Sequence, residues 1–504
     1  MKNSGIILIA ISLLLLVSCT KEDETSYKNA DGFDLYSTTG ITGTSGNTQG
    51  NPAIPGDKYT ELEENPFIMV TEAPVSTFSI DADGASYSNI RRFILQDHQL
   101  PPRGAVRTEE MINYFDFNYD YQPSAHPISL NGEVSSCPWE ENNRLVRIGI
   151  QGKSIPESQL PPSNFVLLID VSGSMSSPDK LALLKQGFTL FVDQMRNEDR
   201  IAIVTYAGNA GLVLESTLGN EKVKIRNAIA SLGSGGSTAG AEGILTAYQI
   251  ARENLIEGGN NRIILGTDGD FNVGVSSKEE LIALIETQRD FGIFLTVLGV
   301  GRGNYNDAAL EQIADNGNGN FEYIDKVDQL KKVFIHEFER FYTIAKDVKV
   351  QVEFNPEIVE AYRLIGYENR VLNTEDFEDD KKDAGEIGAG QNITALYEII
   401  PKQGIDIRQS PAFTIDFRYK NPDEDISIPM QLEIFDEGKS FTDASDQMIF
   451  SSSIAEFSML ITNSKFKGNS NYLHAYLMVE KLNLPDPYGY IEEFKKIVNR
   501  AKQF

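Results

Sequence analysis

Hydrophobic and polar positions form a different pattern in the middle of the chain than on either side of it. Across residues 162–346, short continuous apolar runs alternate with segments whose apolar residues recur every three to four positions. The runs predict strands buried on both faces, and the segments predict amphipathic helices. Strands are predicted at 165–169, 201–206, 211–216, 262–266, 293–300 and 321–324, and helices at 181–195, 222–232, 241–251, 278–289, 307–314 and 327–344. This order predicts an α/β domain with a doubly wound, mainly parallel sheet.

The two flanking segments have different patterns of hydrophobic and polar positions. Residues 65–161 mix alternating strands with two short helical patterns, which predicts a small α+β region. Residues 347–504 begin with short strands separated by turn residues and end in helices, which predicts a β-sandwich-like region with a helical tail. We expect the two flanks to pack on each other and the α/β domain to project from them, because the termini of an inserted domain often lie close together.

The first residues are predicted to be a signal rather than part of the fold. Residues 1–19, MKNSGIILIAISLLLLVSC, have a basic start and an apolar run too short to span a bilayer comfortably. Their end resembles the bacterial lipobox, which implies cleavage before Cys19 and its acylation. We therefore expect a lipid anchor in the bacterial outer membrane, followed by a flexible tether at 20–64 that is rich in Gly, Ser, Thr and Asn. The acidic stretch after Cys19 resembles signals that route some lipoproteins to the cell surface.

Charge and cysteine content narrow the classes of partner. The net charge is −28, from 73 acidic and 45 basic residues, which disfavours nucleic acid and anionic lipid and favours cations or basic surfaces. The chain has two cysteines, so acylation of Cys19 leaves Cys137 without an intramolecular partner.

Oxygen-bearing residues follow the predicted strands of the central domain. Asp170 ends one strand and Asp268 ends another, while Ser172 and Ser174 occupy alternate positions of the loop after Asp170. Thr238 lies in a glycine-rich loop before a helix. Ligands of open parallel sheets bind at the carboxyl ends of the strands, so these side chains are expected to converge. Carboxylates and hydroxyls suit a hard cation, which predicts a site for Mg²⁺, or for Ca²⁺ or Mn²⁺.

The same residues resemble a known family. The motif Asp170-x-Ser172-x-Ser174, followed by Thr238 and by Asp268 in Thr-Asp-Gly, is similar to the metal-ion-dependent adhesion site of von Willebrand factor A domains. The flanking segments resemble those of bacterial lipoproteins that carry such a domain. The resemblance implies that the five residues contact the metal directly or through water. It also implies that the metal binds a protein partner, whose acidic side chain completes the metal shell.

Two other functions remain open from the sequence. One is a metal-dependent enzyme of the cell envelope, and the other is a structural envelope protein that does not use the metal. We predict no enzyme, because no His, Lys or Cys is placed near the motif as a base or nucleophile, and the four histidines lie near no Gly-x-Ser-x-Gly elbow.

Overall fold

A computed structural model describes residues 56–504 apart from 82, 208–210, 236–240, 270–276, 406–407 and 409. The strands of the first flank are β1 (Ile68–Met69), β2 (Val75–Ser79), β3 (Ile128–Ser136) and β4 (Arg144–Gly152). Those of the centre are β5 (Ser163–Asp170), β6 (Arg200–Tyr206), β7 (Gly211–Leu218), β8 (Asn260–Thr267), β9 (Ile293–Val300) and β10 (Phe321–Ile324). The last flank contributes β11 (Thr343–Phe354), β12 (Val359–Ile365), β13 (Val371–Leu372), β14 (Gly385–Gly388), β15 (Asn392–Pro401), β16 (Phe413–Lys420) and β17 (Ile428–Ile434).

The α-helices follow the same three-part division. The first flank has α1 (Ala85–Arg91) and α2 (Thr108–Asn113). The centre has α3 (Leu181–Gln194), α4 (Lys222–Ser231), α5 (Ala241–Glu253), α6 (Lys278–Asp290), α7 (Asp307–Asn316) and α8 (Val327–Lys331). The tail has α9 (Asp446–Ile461), α10 (Tyr472–Glu480) and α11 (Tyr490–Ala501). Within the described residues, no helix combines the length and the apolar composition needed to cross a membrane.

The central sheet confirms the predicted α/β class. Its strand order is β10-β9-β8-β5-β6-β7, with parallel pairs everywhere except at the antiparallel edge strand β7. Both faces of β5 are covered: Phe165 packs in the core that holds Phe188 of α3, and Val166 packs in the core that holds Ile244 of α5. This two-sided burial is why β5 is an unbroken apolar run.

The single helix predicted for 327–344 is wrong. Helix α8 ends at Lys331, the chain continues through a wider turn at Lys332–His336 and a tighter one at Phe338–Phe341, and β11 begins at Thr343. The apolar residues in this stretch have helical spacing, but their packing does not require one helix. Phe334 and Phe341 both pack on Phe191 of α3, while the chain turns back into a strand. Tertiary packing overrides the local pattern here.

The two flanks share their sheets, which confirms the prediction that they pack on each other. One sheet has the order β13-β2-β11-β16-β17, with β14 on β11, so that β2 from the first flank lies between strands of the last. The other has the order β1-β12-β15-β4-β3 and pairs β4 with β15. Phe354 of the first sheet stacks on Tyr362 of the second with ring centroids 4.2 Å apart. The sheets therefore form a sandwich around a common core.

The α/β unit does not simply project from this sandwich. Helix α1 of the first flank packs against the edge strand β10, where Ser88 Oγ donates a hydrogen bond to the Tyr323 carbonyl at 2.7 Å. The Phe321 amide in turn donates to Asp83 Oδ1 at 2.9 Å. The polar contacts of helix α1 join residues that are far apart in the chain, and they produce no periodic pattern in the sequence. The packing of α1 on the edge strand β10 could therefore not be predicted.

Candidate metal centre

Two buried carboxylates meet at the carboxyl rim of the central sheet. Asp170 is the last residue of β5, and Asp268 directly follows β8, which is paired in parallel with β5. Their exposed fractions are 1% and 0%. The structure thus brings together the two acids that the sequence placed at strand ends.

The loop after β5 brings its hydroxyls to the same rim. The Ser172 amide donates a hydrogen bond to Asp170 Oδ1 at 2.8 Å, and the two serine hydroxyls, Ser172 Oγ and Ser174 Oγ, lie 2.9 Å apart. Ser172 is buried, whereas Ser174 is exposed to solvent. The carboxylates of the site are therefore buried, and the site is open to solvent on the side of Ser174.

Neutral donors hold the second oxygen of Asp170. Tyr206 donates its hydroxyl to Asp170 Oδ2 at 3.2 Å, and Thr267 Oγ1 donates to the same oxygen at 3.3 Å. Burial raises the pKa of Asp170, and hydrogen bonds from Ser172 only partly offset this effect. A cation beside this carboxylate would favour its charged form.

Lys180 occupies the other side of the site, and the sequence analysis missed it. Its Nζ donates to Asp268 Oδ2 and to Asn304 Oδ1, each at 2.8 Å, and the residue is buried. Burial opposes ionisation of Asp268, but hydrogen bonds from Lys180, Asn304 and Ser174 outweigh it and hold the pKa below its usual value. No motif or periodicity in the sequence links Lys180 and Asn304 to Asp268, because they come from separate loops.

Two of the predicted functional residues lie outside the described part of the chain. These are Thr238 in the glycine-rich loop and Cys19 in the signal segment. The start of the glycine-rich loop does reach the site, because the Gly235 amide donates to the Val171 carbonyl at 2.9 Å. Of the five predicted metal residues, the structure places Asp170, Ser172, Ser174 and Asp268 together.

The donor chemistry fits a divalent cation. The described donors are all oxygen, with two carboxylates and two hydroxyls, as hard cations such as Mg²⁺ prefer. Asp170 and Ser172 on the buried side would hold the ion, and Ser174 would hold it at the open side. Hydroxyl ligands bring no charge, so a bound ion would keep a positive potential toward solvent.

A second group of acids is the junction cluster: Asp81, Glu110, Glu311, Arg107 and Arg370, where both flanks meet the α/β unit. One carboxylate oxygen from each of the three acids lies within 4.8 Å of the others, and all three residues are buried. Guanidinium groups already engage them: Arg370 Nε lies 2.9 Å from Asp81 Oδ2, and Arg107 contacts both Glu110 and Glu311. The sequence analysis did not find this cluster, because its members come from three segments far apart in the chain.

Family models cover most of the chain in three consecutive matches. Residues 54–147 match the model described as "von Willebrand factor", residues 164–335 the "von Willebrand factor type A domain", and residues 339–504 "Uncharacterized protein YfbK, C-terminal". The middle match contains the four site residues described above.

Individual proteins resemble the chain to different extents. The "Uncharacterized protein YfbK" of Escherichia coli is 39% identical over 474 residues, which cover 89% of this chain and 82% of that protein. The "Uncharacterized protein sll0103" of Synechocystis is 27% identical over 203 residues, or 40% of this chain and 47% of that protein. Among solved structures, a von Willebrand factor type A protein from Catenulispora acidiphila aligns with a TM-score of 0.41 and 16% identity, over 68% of this chain and 81% of that one. Because the match to the Escherichia coli protein runs through both flanks as well as the central domain, the chain belongs to the YfbK family of von Willebrand factor type A domain proteins.

Proposed function

We propose that the protein is a membrane-anchored lipoprotein that binds a protein partner through a divalent cation, in an adhesion or scaffold role. The observation that carries the proposal is the convergence of Asp170, Ser172, Ser174 and Asp268 at one rim, with Ser174 open to solvent. Mg²⁺ is the proposed ion, because hydroxyl ligands and few charges suit a small cation that keeps water in its shell.

An acidic side chain of the partner is the proposed last ligand. The two carboxylates and Lys180 give the site a net charge of about −1, so a bound divalent ion makes it locally positive. The chain as a whole carries −28, and the ion would be a positive point on an acidic protein. A carboxylate of the partner would therefore be attracted to the ion, while the surrounding surface would repel other acidic proteins.

The proposed role is binding rather than catalysis. Lys180 donates to Asp268 and Asn304, and Tyr206 donates to Asp170, so these polar groups are already hydrogen-bonded to other residues of the site. A general base needs to reach a proton of the substrate rather than a ligand of the metal. This arrangement favours a partner-binding site over a metal-dependent envelope enzyme.

The proposed anchor is a lipid on Cys19, in the bacterial outer membrane. The apolar run before it and its lipobox-like ending support this assignment. Labelled palmitate should enter the wild-type protein and should not enter Cys19→Ser. Wild-type protein recovered without label from the soluble fraction would contradict the anchor.

Metal binding is tested on the full chain after residue 19, with calorimetry against Mg²⁺ and Mn²⁺. We expect a saturable site in the wild type that Asp170→Ala abolishes, because this carboxylate lies at the centre of the ligand set. Asp193→Ala is the matched control, since Asp193 is an exposed acid of the same domain. Equal binding by wild type and Asp170→Ala would contradict the metal centre.

Partner binding is then tested by capture from envelope extracts, with Mg²⁺ or with EDTA. The proposal expects a protein that is retained with Mg²⁺ and lost with EDTA and with Asp170→Ala, but retained by Asp193→Ala. Capture that survives both EDTA and Asp170→Ala would favour the structural role instead.

A further inference from the structure

The first described residues of the chain lie beside the metal centre. We call residues 56–59 the strap and residues 301–307 the rim loop. The Lys58 amide donates to the Tyr305 carbonyl at 2.8 Å, and the Asp307 amide donates to the Lys58 carbonyl at 3.2 Å. These bonds form a parallel bridge between Lys58 and Asn306, so the strap adds a short strand segment to the rim loop.

Asp57 fixes the strap to this loop through its side chain. Its carboxylate is fully buried and accepts hydrogen bonds from the amides of Gly303, at 2.6 Å, and of Tyr305, at 3.3 Å. Arg92 of the first flank pairs with the same carboxylate at 3.1 Å. A buried carboxylate that accepts backbone amides is a strong local clamp, because charge-assisted hydrogen bonds are shorter and stronger than neutral ones.

The backbones also approach so closely that side chains are excluded. A Cβ on Gly56, which has a φ of +107°, would lie 1.8 Å from the carbonyl oxygen of Gly303. Only glycine tolerates both this conformation and this approach.

The rim loop in turn reaches the metal centre. Asn304 lies between the two residues that Asp57 binds, and its Oδ1 accepts the Lys180 Nζ that also donates to Asp268. Its side chain also lies close enough to Asp268 to help hold the pKa of that carboxyl below its usual value. A continuous series of contacts therefore runs from Asp57 through Asn304 to Asp268.

We propose that Asp57 is a positioning residue of the metal centre, and that the strap sets the metal affinity by holding Asn304 against Lys180 and Asp268. This inference rests on the proposed function of the same site. The strap lies within the tether predicted at 20–64 and is packed on the rim loop, so the rest of that tether leads from the strap toward the proposed membrane anchor. A pull on that segment would act first on the strap, and through it on the rim loop.

The direction of the effect follows from the hydrogen bonds. With the strap released, Asn304 no longer holds Lys180 and Asp268 in place, and Asp268 becomes the remaining acceptor of this ammonium group. A ligand that is less fixed and more tightly paired with Lys180 binds a cation more weakly. Couplings between sites are commonly about 5- to 150-fold, and we expect a loss of about five- to tenfold.

The test uses the full chain after residue 19 and calorimetry with Mn²⁺ on Asp57→Ala, Asn304→Ala and the double variant. Each single variant should weaken binding about five- to tenfold, and the double variant should be no weaker than the worse single one. Lys58→Ala is the matched control, because its exposed side chain lies on the same strap while its backbone keeps the bonds. Asp57→Asn keeps an oxygen acceptor and should restore part of the affinity.

Outcomes for the strap and for the metal centre can be separated. Wild-type affinity in Asp57→Ala, or losses that add in the double variant, would overturn the inference while the metal centre stands. Absence of Asp170-dependent binding in the wild type would overturn the proposed function and the inference with it. If Asp57→Ala fails to fold because Arg92 loses its ion pair with Asp57, Gly56→Ala tests the same step, since the added Cβ displaces the strap by steric contact with Gly303.

Discussion

The metal centre and the junction cluster both gather carboxylates, but they differ in what surrounds them. The junction cluster has more acids, yet Arg107 and Arg370 bind their oxygens, and its carboxylates are buried between three segments. The metal centre has two acids, of which Asp268 pairs with Lys180, together with uncharged hydroxyls and an open side at Ser174. The number of carboxylates therefore does not identify a metal site. The candidate metal centre differs from the junction cluster in its neutral hydroxyls and in its route from solvent.

The largest effect is expected from removing a cation of the junction cluster. Arg370→Ala leaves Asp81 and Asp315 without the guanidinium that contacts them at 2.9 and 2.8 Å. Breaking a buried ion pair on one side costs about 3–5 kcal/mol, so the free energy of unfolding should fall by that amount in urea titrations. Arg226→Ala is the control, because its pair with Asp193 is exposed and should be worth at most about 1 kcal/mol. A similar small loss in both variants would show that the junction cluster is not held by charge pairing.

A smaller effect is expected from adding metal. At a Mg²⁺ concentration 100 times the Kd, binding to the native state raises the free energy of unfolding by about 2.7 kcal/mol. The rise should disappear in Asp170→Ala and persist in Glu311→Gln, which alters the junction cluster alone. Thermal unfolding of each variant with and without Mg²⁺ measures this rise. If the rise disappears in Glu311→Gln instead, the junction cluster is the site of the ion and the comparison reverses.

The smallest effect is expected from a buried acid beside the junction cluster. Glu109 precedes Glu110 in α2 and is fully buried. Burial, then the negative charges of Glu368 and Asp81, raise its pKa from 4.5 to about 8. The folded state thus holds this proton more tightly than the unfolded state. The contribution of Glu109 to wild-type stability should therefore be greatest below about pH 4.5 and should be lost as the pH rises to about 8.

Glu109→Gln removes this ionisable group. The variant should match the wild type near pH 4 and exceed it by about 2 kcal/mol near pH 6, which is about 1.5 units above the ordinary pKa of this carboxyl, since each pKa unit corresponds to about 1.4 kcal/mol. Urea unfolding across this range is the measurement, and the same substitution at exposed Glu375 should leave the profile unchanged. A parallel wild-type and Glu109→Gln profile would mean that Glu109 keeps an ordinary pKa.

The sequence predicted those parts of the fold that depend on local patterns. Buried runs such as 165–169 identify strands, because a strand covered on both faces is continuously apolar. Asp170 and Asp268 could be placed at one rim, because parallel strands end at the same edge. Lys180, Asn304 and Asp57 could not be linked to that rim, since they come from separate loops and their contacts depend on the tertiary structure. The helix predicted at 327–344 was wrong for the same reason, because Phe341 serves the packing of a turn rather than a helix face.

The position of β2 between strands of the last flank has a consequence for how the chain folds. Phe78 of β2 pairs with Val350 of β11 and with Val371 of β13, so its two neighbours in the sheet lie more than 250 residues later in the sequence. Because the chain is synthesised from its amino terminus, β2 cannot complete this sheet until β11 and β13 have been synthesised. The α/β unit between them has its own parallel sheet and can fold earlier, which brings its two ends together and shortens the loop that β2 must close. Early folding of the α/β unit would thus assist the late assembly of the sandwich. Slow formation of the β2–β11 pair should limit the overall folding rate.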